Sequence, residues 1–143
     1  MPNTRSQAFL CTNNDTVPTG FSSTTGYFKT QGTTSLIRQQ KFTSANNQVT
    51  YIGKSPTSVP VTAMIGGKSP QTNSDYFIVI GKNGTAIPLP EASIGSMLNG
   101  QEFQIVLESD VDLVTGNSLE IGIRNNFNIN DVIVCDLQFR VSE

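Results

Sequence analysis

Apolar and polar residues alternate with a period of two along most of this 143-residue chain, and helical periodicity is nearly absent. Leu119, Ile121 and Ile123, for example, are separated by polar residues and a glycine. Clusters of Gly, Pro and Asn, which favour turns, separate the alternating runs. The pattern predicts an all-β chain with strands at residues 6–11, 27–30, 36–42, 48–52, 59–65, 75–81, 85–89, 102–108, 118–124 and 132–141.

The turns between these runs indicate a single antiparallel jelly-roll β-sandwich that spans residues 1–143. In the stretch YFIVIGKNGTAIPL, Asn83-Gly84 predicts a type I′ hairpin, because both residues tolerate positive φ. The stretch PEASIGSMLNG is compatible with one short helical turn. Residues 12–35 are rich in Thr, Ser, Asn and Gly and predict a loop-rich N-terminal segment.

Two of the predicted strands are apolar on both faces, which a two-sheet sandwich does not require. Val132 and Val134 lie on the face opposite Ile133 and Cys135, and residues 75–81 are apolar on both sides. The second cover is either a neighbouring subunit or a loop of the same chain. The first alternative predicts a homo-oligomer, with Val132, Val134 and either Tyr76 or Phe77 at or near the contact.

Composition argues against nucleic acids and membranes as partners. The formal net charge is −2 and charged residues make up only 14% of the chain, so no electrostatic grip on phosphates or anionic lipid is present. No run approaches the about 20 apolar residues of a membrane span. The N-terminal stretch MPNTRSQAFLCTNNDT has no apolar core of signal-peptide length, so we expect no Sec-dependent export.

The two cysteines, Cys11 and Cys135, allow two interpretations. They could form a disulfide between the terminal strands. Alternatively, Cys135 is a small buried hydrophobe, because it shares the apolar rhythm of Ile133, Leu137 and Phe139. Their spacing matches neither a metal site nor a redox motif.

Catalytic chemistry is not indicated. The chain has no histidine, which removes the commonest general base and the usual partner of a nucleophilic Ser or Cys. The stretch MIGGKS lacks the first glycine of a phosphate-binding loop and is predicted to be a turn after a strand. We therefore expect a protein that is not an enzyme and needs no cofactor.

The acidic residues allow one metal hypothesis. Glu108, Asp110 and Asp112 share one face of an extended strand, where they could hold Ca²⁺ or, more simply, protect a sheet edge as solvated charges. The residues predicted to be exposed ion-pair partners are Glu120, Arg124 and Asp131.

Sugar binding stays open, because Asn, Gln and Thr in the loops could supply polar contacts. The rings that could form an exposed platform are Tyr27, Phe28, Tyr51 and Tyr76.

The stretch TGNSLEIGIRN, a short polar gap and the stretch DVIVCDLQFRV together span residues 115–141. This region resembles the last two strands of small jelly-roll domains that are similar to tumour-necrosis-factor (TNF) and C1q heads. Such domains recur in bacteriophage virion proteins, among them capsid decoration proteins and fibre tips, and they commonly form trimers. The resemblance implies a TNF-like fold and a homotrimer.

The resemblance also implies two functions. A capsid decoration or cement protein binds the major capsid protein on the virion surface, after synthesis in the host cytoplasm, and stabilises the shell. The alternative is a receptor-binding tail-fibre or spike tip that binds a host-surface glycan. The chain contains neither shaft nor coiled coil, which favours the decoration protein.

Overall fold

A computed structural model describes residues 7–12, 18–20, 27–31, 34–68, 74–86, 92–97, 102–125 and 132–142, which form two antiparallel sheets. Sheet I contains β1 (Gln7–Thr12), β2 (Pro18–Thr19), β4 (Ser35–Gln40), β7 (Thr57–Lys68), β11 (Glu102–Leu113) and β13 (Val132–Ser142). Sheet II contains β3 (Phe28–Lys29), β5 (Phe42–Ala45), β6 (Gln48–Tyr51), β8 (Ser74–Lys82), β9 (Thr85–Ala86), β10 (Ala92–Met97) and β12 (Ser118–Asn125).

The long strands cross between the two sheets in the manner of a jelly roll. Sheet I has the order β11-β7-β13-β1-β4, with β2 beside β13. Sheet II has the order β10-β8-β12-β6-β5, with β3 beside β12 and β9 beside β8. From β6 onwards the chain enters sheet I at β7, β11 and β13 and returns to sheet II at β8 and β12. The predicted antiparallel sandwich is confirmed.

Alternating side chains from both sheets form the core, as period-two strands require. Leu119, Ile121 and Ile123 of β12 are buried, and so are Phe103 and Tyr76. The last two rings stack across the sandwich with their centroids 5.6 Å apart. Burying such side chains, at roughly 1.5–3 kcal/mol each, holds the two sheets together.

A β-bulge in β13 corrects the face predicted for Val132 and Val134. Val134 pairs with Gly67 while Asp136 pairs with Gly66, so residue 135 has no partner of its own in the ladder. One extra residue shifts the alternation, and Val132 and Val134 therefore face the core together with Leu137. The strand that is apolar on both faces in sequence is a one-faced strand with a bulge.

The second apolar face of β8 is covered by the chain itself, so for this strand the loop alternative holds. Val79 pairs with Gly122 of β12 and is only 4% exposed. A Cβ at Gly122 would lie 1.9 Å from Cδ2 of Tyr27, which shows that the tyrosine ring rests directly on this part of the sheet. A neighbouring subunit is not needed there.

The predicted hairpin at Asn83-Gly84 is confirmed by positive φ angles of 54° and 80° and by the pairing of Lys82 with Thr85. The helical turn is wrong: Ala92–Met97 is a strand, whose first residue pairs with Ile78 of β8. The predicted turn in MIGGKS is also wrong, because residues 64–68 of this stretch lie inside β7.

The two cysteines do not form a bridge, because Cys11 is a free thiol. Its partner across the β1–β13 ladder is Gln138, three residues beyond the position that a bridge would need. The side chain of Cys135 lies outside the described residues, as does most of the predicted loop segment 12–35, of which β2 and β3 are described. Within the described part of the chain, no helix is long and apolar enough to span a membrane.

Candidate functional site

The two outer faces of the sandwich differ in whether the chain covers them. On sheet II, Tyr27 lies over Gly81 and Gly122, and its hydroxyl donates a hydrogen bond of 3.4 Å to Oε1 of Glu120. Burial, followed by the charge of the Glu120 carboxylate and their hydrogen bond, raises the pKa of Tyr27 to about 12. Glu120 itself is only 8% exposed. This face is therefore already occupied.

The charged residues of the same face are not the exposed ion pairs that the sequence predicts. Glu120 is buried against Tyr27, and the guanidinium of Arg124 lies 4.8 Å from the ring centroid of Phe77. This cation–π contact covers Phe77, which is half-buried. Asp131, the third predicted partner, lies outside the described residues.

The outer face of sheet I has no such cover from the described residues. Two rows of paired residues cross it, Val106-Met64-Gln138-Cys11 and Glu108-Thr62-Arg140-Phe9. Their immediate neighbours along the strands, such as Leu107, Ala63 and Phe139, face the core, so the side chains of both rows face outwards. We call the patch formed by Phe9, Cys11, Met64, Val106, Gln138 and Arg140 the assembly face.

The assembly face combines an apolar centre with two polar contacts that hold its side chains in place. Val106 is 54% exposed, an unusual position for a valine in the middle of a long strand. The Gln104 amide donates a 3.2 Å hydrogen bond to the Met64 sulfur. The Arg140 guanidinium lies 4.5 Å from the ring centroid of Phe9. Phe9, Cys11 and Met64 are half-buried around the exposed Val106, and contiguous apolar surface of this kind can serve as an interaction site.

Acidic residues line the sheet edge beside this face. Glu108, Asp110 and Asp112 project outwards from β11, which forms the edge of sheet I, and all three are exposed. Their predicted common face is confirmed, as is their place on an edge. The described residues contain no group of three or more His, Cys, Asp or Glu that could hold a metal ion.

Three of the four predicted contact residues lie inside the protomer. Tyr76 and Val132 are fully buried and Val134 is 1% exposed, so none of them can present a surface to a neighbour. Phe77 lies on the outer face of sheet II beneath Arg124.

The residues of the assembly face are not predicted by the pattern of the chain, although the sequence contains a signal for them. Val106 and Met64 occupy polar positions of otherwise alternating strands, in the stretches EFQIVLES and VPVTAMIGG. An apolar residue on the solvent face of a strand indicates a contact when its cross-strand neighbour is apolar too. Recognising this pair requires the register of β7 and β11, which the sequence does not supply.

The predicted aromatic platform for sugars does not form. Tyr51 and Tyr76 are buried, and the Tyr51 hydroxyl donates a 2.6 Å hydrogen bond to the Ser55 carbonyl oxygen. Tyr27 and Phe28 are half-buried, and Tyr27 is committed to the outer face of sheet II.

No protein-family model matches the chain, and no curated protein matches it in sequence. Solved structures do share its fold. The Eiger TNF structure from S. frugiperda has a TM-score of 0.66 at 11% identity, over 97% of this chain and 92% of its own. Murine APRIL at pH 8.0 has a TM-score of 0.59 at 9% identity, over 97% and 99%. The fold is therefore a TNF-like jelly roll.

Proposed function

We propose that this protein is a non-enzymatic structural protein that works as a homotrimer and decorates a bacteriophage capsid. The observation that carries the proposal is the difference between the two outer faces. Tyr27 covers sheet II, whereas the apolar centre of sheet I, around Val106 and Met64, has no cover from the residues that the structure describes and can receive a partner.

The charges around the assembly face favour a closed ring of identical subunits. Glu108 and Arg140 lie in the same row but two strands apart, at roughly 10 Å between their backbones, and the Arg140 guanidinium lies over the Phe9 ring rather than beside Glu108. A head-to-tail contact brings Glu108 of one subunit to the Arg140 side of the next. Such a contact uses two different patches, and it closes without free edges only in a ring, for which a trimer is the simplest form that the resemblance implies.

The capsid role rests on the resemblance of residues 115–141 to phage decoration proteins and on the absence of catalytic chemistry in the sequence. The 14% charged content and many Ser, Thr, Asn and Gln residues suit a particle surface that recognises its partner by shape rather than by charge. The proposed partner is the major capsid protein.

Localisation in intact virions tests this role. Gold-labelled antibody raised against the purified protein is expected to decorate the shell in a regular array, and virions that lack the protein are expected to lose their DNA at lower temperature. Labelling at the tail tip would replace the capsid role with the receptor-binding alternative. A virion without any label would contradict both roles.

A further inference from the structure

An open depression of 520 Å³ lies at one end of the sandwich, away from the assembly face. Three segments form it: the beginning of β7, the turn of the β8–β9 hairpin and the turn that joins β11 to β12. The residues that matter for binding are Pro56, Lys82, Asn83, Asp112, Val114 and Asn117.

Two asparagines in this depression have amide groups of fixed orientation. The Val114 N–H donates a 2.8 Å hydrogen bond to Oδ1 of Asn117, and the Ser118 N–H donates one of 2.9 Å to Oδ1 of Asn83. Each side-chain NH₂ group is thereby held in place, and neither has an acceptor among the described residues. Donors that are fixed before a ligand arrives lose little entropy on binding.

The charged residues of the depression balance each other. Nζ of Lys82 donates a 2.6 Å hydrogen bond to the Asp112 carbonyl oxygen, which positions the ammonium group and leaves it further hydrogens. The exposed Asp112 carboxylate is the acceptor of the set. One positive and one negative group in the same depression disfavour ligands with a net charge of either sign.

Apolar groups complete the lining. Val114 is 52% exposed beside Pro56, so the depression offers hydrocarbon surface next to its hydrogen-bonding groups. Ligand sites commonly combine apolar walls with a few placed polar groups.

We infer that this depression binds a neutral sugar residue of a glycan. A sugar hydroxyl can donate to Asp112 and accept from Lys82 or an asparagine amide, whereas a carboxylate only accepts and an ammonium group only donates. The C–H faces of the ring would pack on Val114 and Pro56. This inference does not depend on the assembly face, and a monomer is expected to bind equally well.

Nuclear magnetic resonance titration of the isotope-labelled protein tests the inference. The probes are the methyl glycosides of glucose, galactose, mannose and N-acetylglucosamine, together with glucuronic acid and glucosamine as charged analogues. We expect one of the neutral glycosides to shift the side-chain amide signals of Asn83 and Asn117, with a dissociation constant of about 1 mM. The charged analogues should bind at least several-fold more weakly.

A matched pair of substitutions locates the site. Asp112→Asn removes the charged acceptor and is expected to weaken binding about tenfold. Asp110→Asn changes an equally exposed residue of the same strand face outside the depression and should leave binding unchanged. Asn83→Gly removes one donor and keeps the turn, because glycine tolerates the φ of 54°.

Three results would overturn the inference. They are the absence of binding by every neutral glycoside, tighter binding of a charged analogue, and equal effects of Asp110→Asn and Asp112→Asn in folded variants. Because the titration does not require a trimer, its failure would leave the proposed assembly intact.

Discussion

Tyr27 illustrates how one side chain changes the environment of its neighbours. In the sequence, Glu120, Gly122 and Arg124 read as the solvent face of β12, and the strand was predicted correctly. The tyrosine comes from a distant segment and fills the space that Gly81 and Gly122 leave open, which buries Glu120. Local periodicity carries no information on which distant residue will cover a face.

The raised pKa of Tyr27 predicts a loss of stability at alkaline pH. In the unfolded chain the phenol titrates at its ordinary pKa of about 10, whereas in the folded protein the value is about 12. Between these two values the unfolded state binds fewer protons than the folded state, so the free energy of unfolding falls as pH rises. Below about pH 10 the stabilisation is fully present.

Urea denaturation of wild type and Tyr27→Phe measures this effect. The wild type should lose stability relative to the variant between about pH 10 and pH 12, because phenylalanine cannot titrate. Glu120→Gln provides a second comparison: it keeps Tyr27 but removes the carboxylate charge that helps to raise the pKa of Tyr27, so its alkaline loss should be smaller than that of wild type. Parallel curves for wild type and Tyr27→Phe would show that Tyr27 is not buried against Glu120.

At the scale of elements, irregularities in the strands were harder to predict than the strands. The hairpin at Asn83-Gly84 has a strong local signal and was predicted. The break between β4 and β5 at Lys41, where φ is 63°, was missed, so that the predicted strand 36–42 runs from β4 into the first residue of β5. The turn between β5 and β6, with φ of 53° at Asn46 and 62° at Asn47, was not predicted as a hairpin either. An Asn-Asn pair also tolerates positive φ, but it is less strongly associated with hairpins than Asn-Gly is, so its signal is weaker.

The bulge in β13 had the largest consequence for the site, because it reversed the face of Val132 and Val134. The residue that accommodates the bulge, Gly67, lies on the partner strand β7. A Cβ at Gly67 would lie 2.5 Å from the Ile133 carbonyl oxygen, so only glycine fits beside the bulge. The sequence pattern places the pair Gly66-Gly67 in a predicted turn and does not indicate a bulge on the neighbouring strand.

Deleting the bulge residue tests the register of β13. Without Cys135 the alternation from Val132 to Val141 becomes regular, so this variant should fold, with a free energy of unfolding within about 1 kcal/mol of wild type. Deleting the exposed Gln138 instead turns Phe139 and Val141 outwards and should cost several kcal/mol. Thermal denaturation of both variants provides the comparison. Equal losses in the two would rule out a bulge at residue 135.

At the scale of the whole molecule, the sandwich followed from the sequence because period-two alternation and turn residues are local signals that agree with each other. The open face of sheet I did not follow, since it depends on which strands lie next to each other and on what covers them. Val106 and Met64 are 42 positions apart in the chain, and only the β7–β11 pairing makes them neighbours. The proposed oligomer therefore rests on a different observation, the exposed Val106 beside the half-buried Met64, and on a different surface from the one that the sequence predicts.

The assembly face leads to a prediction with a closely matched control. Val106 is 54% exposed on this face and Val114 is 52% exposed at the end of the sandwich, so both valines are equally accessible in a monomer. Val106→Asp places a charge in the proposed contact, where its desolvation should cost several kcal/mol and dissociate the trimer. Val114→Asp should leave the assembly unchanged, and Val134→Asp should unfold the protein, because Val134 is in the core.

Light scattering at micromolar concentration, with circular dichroism to confirm folding, measures the assembly of all three variants. A monomeric wild type refutes the trimer, and a folded Val106→Asp variant that stays assembled refutes the position of its interface.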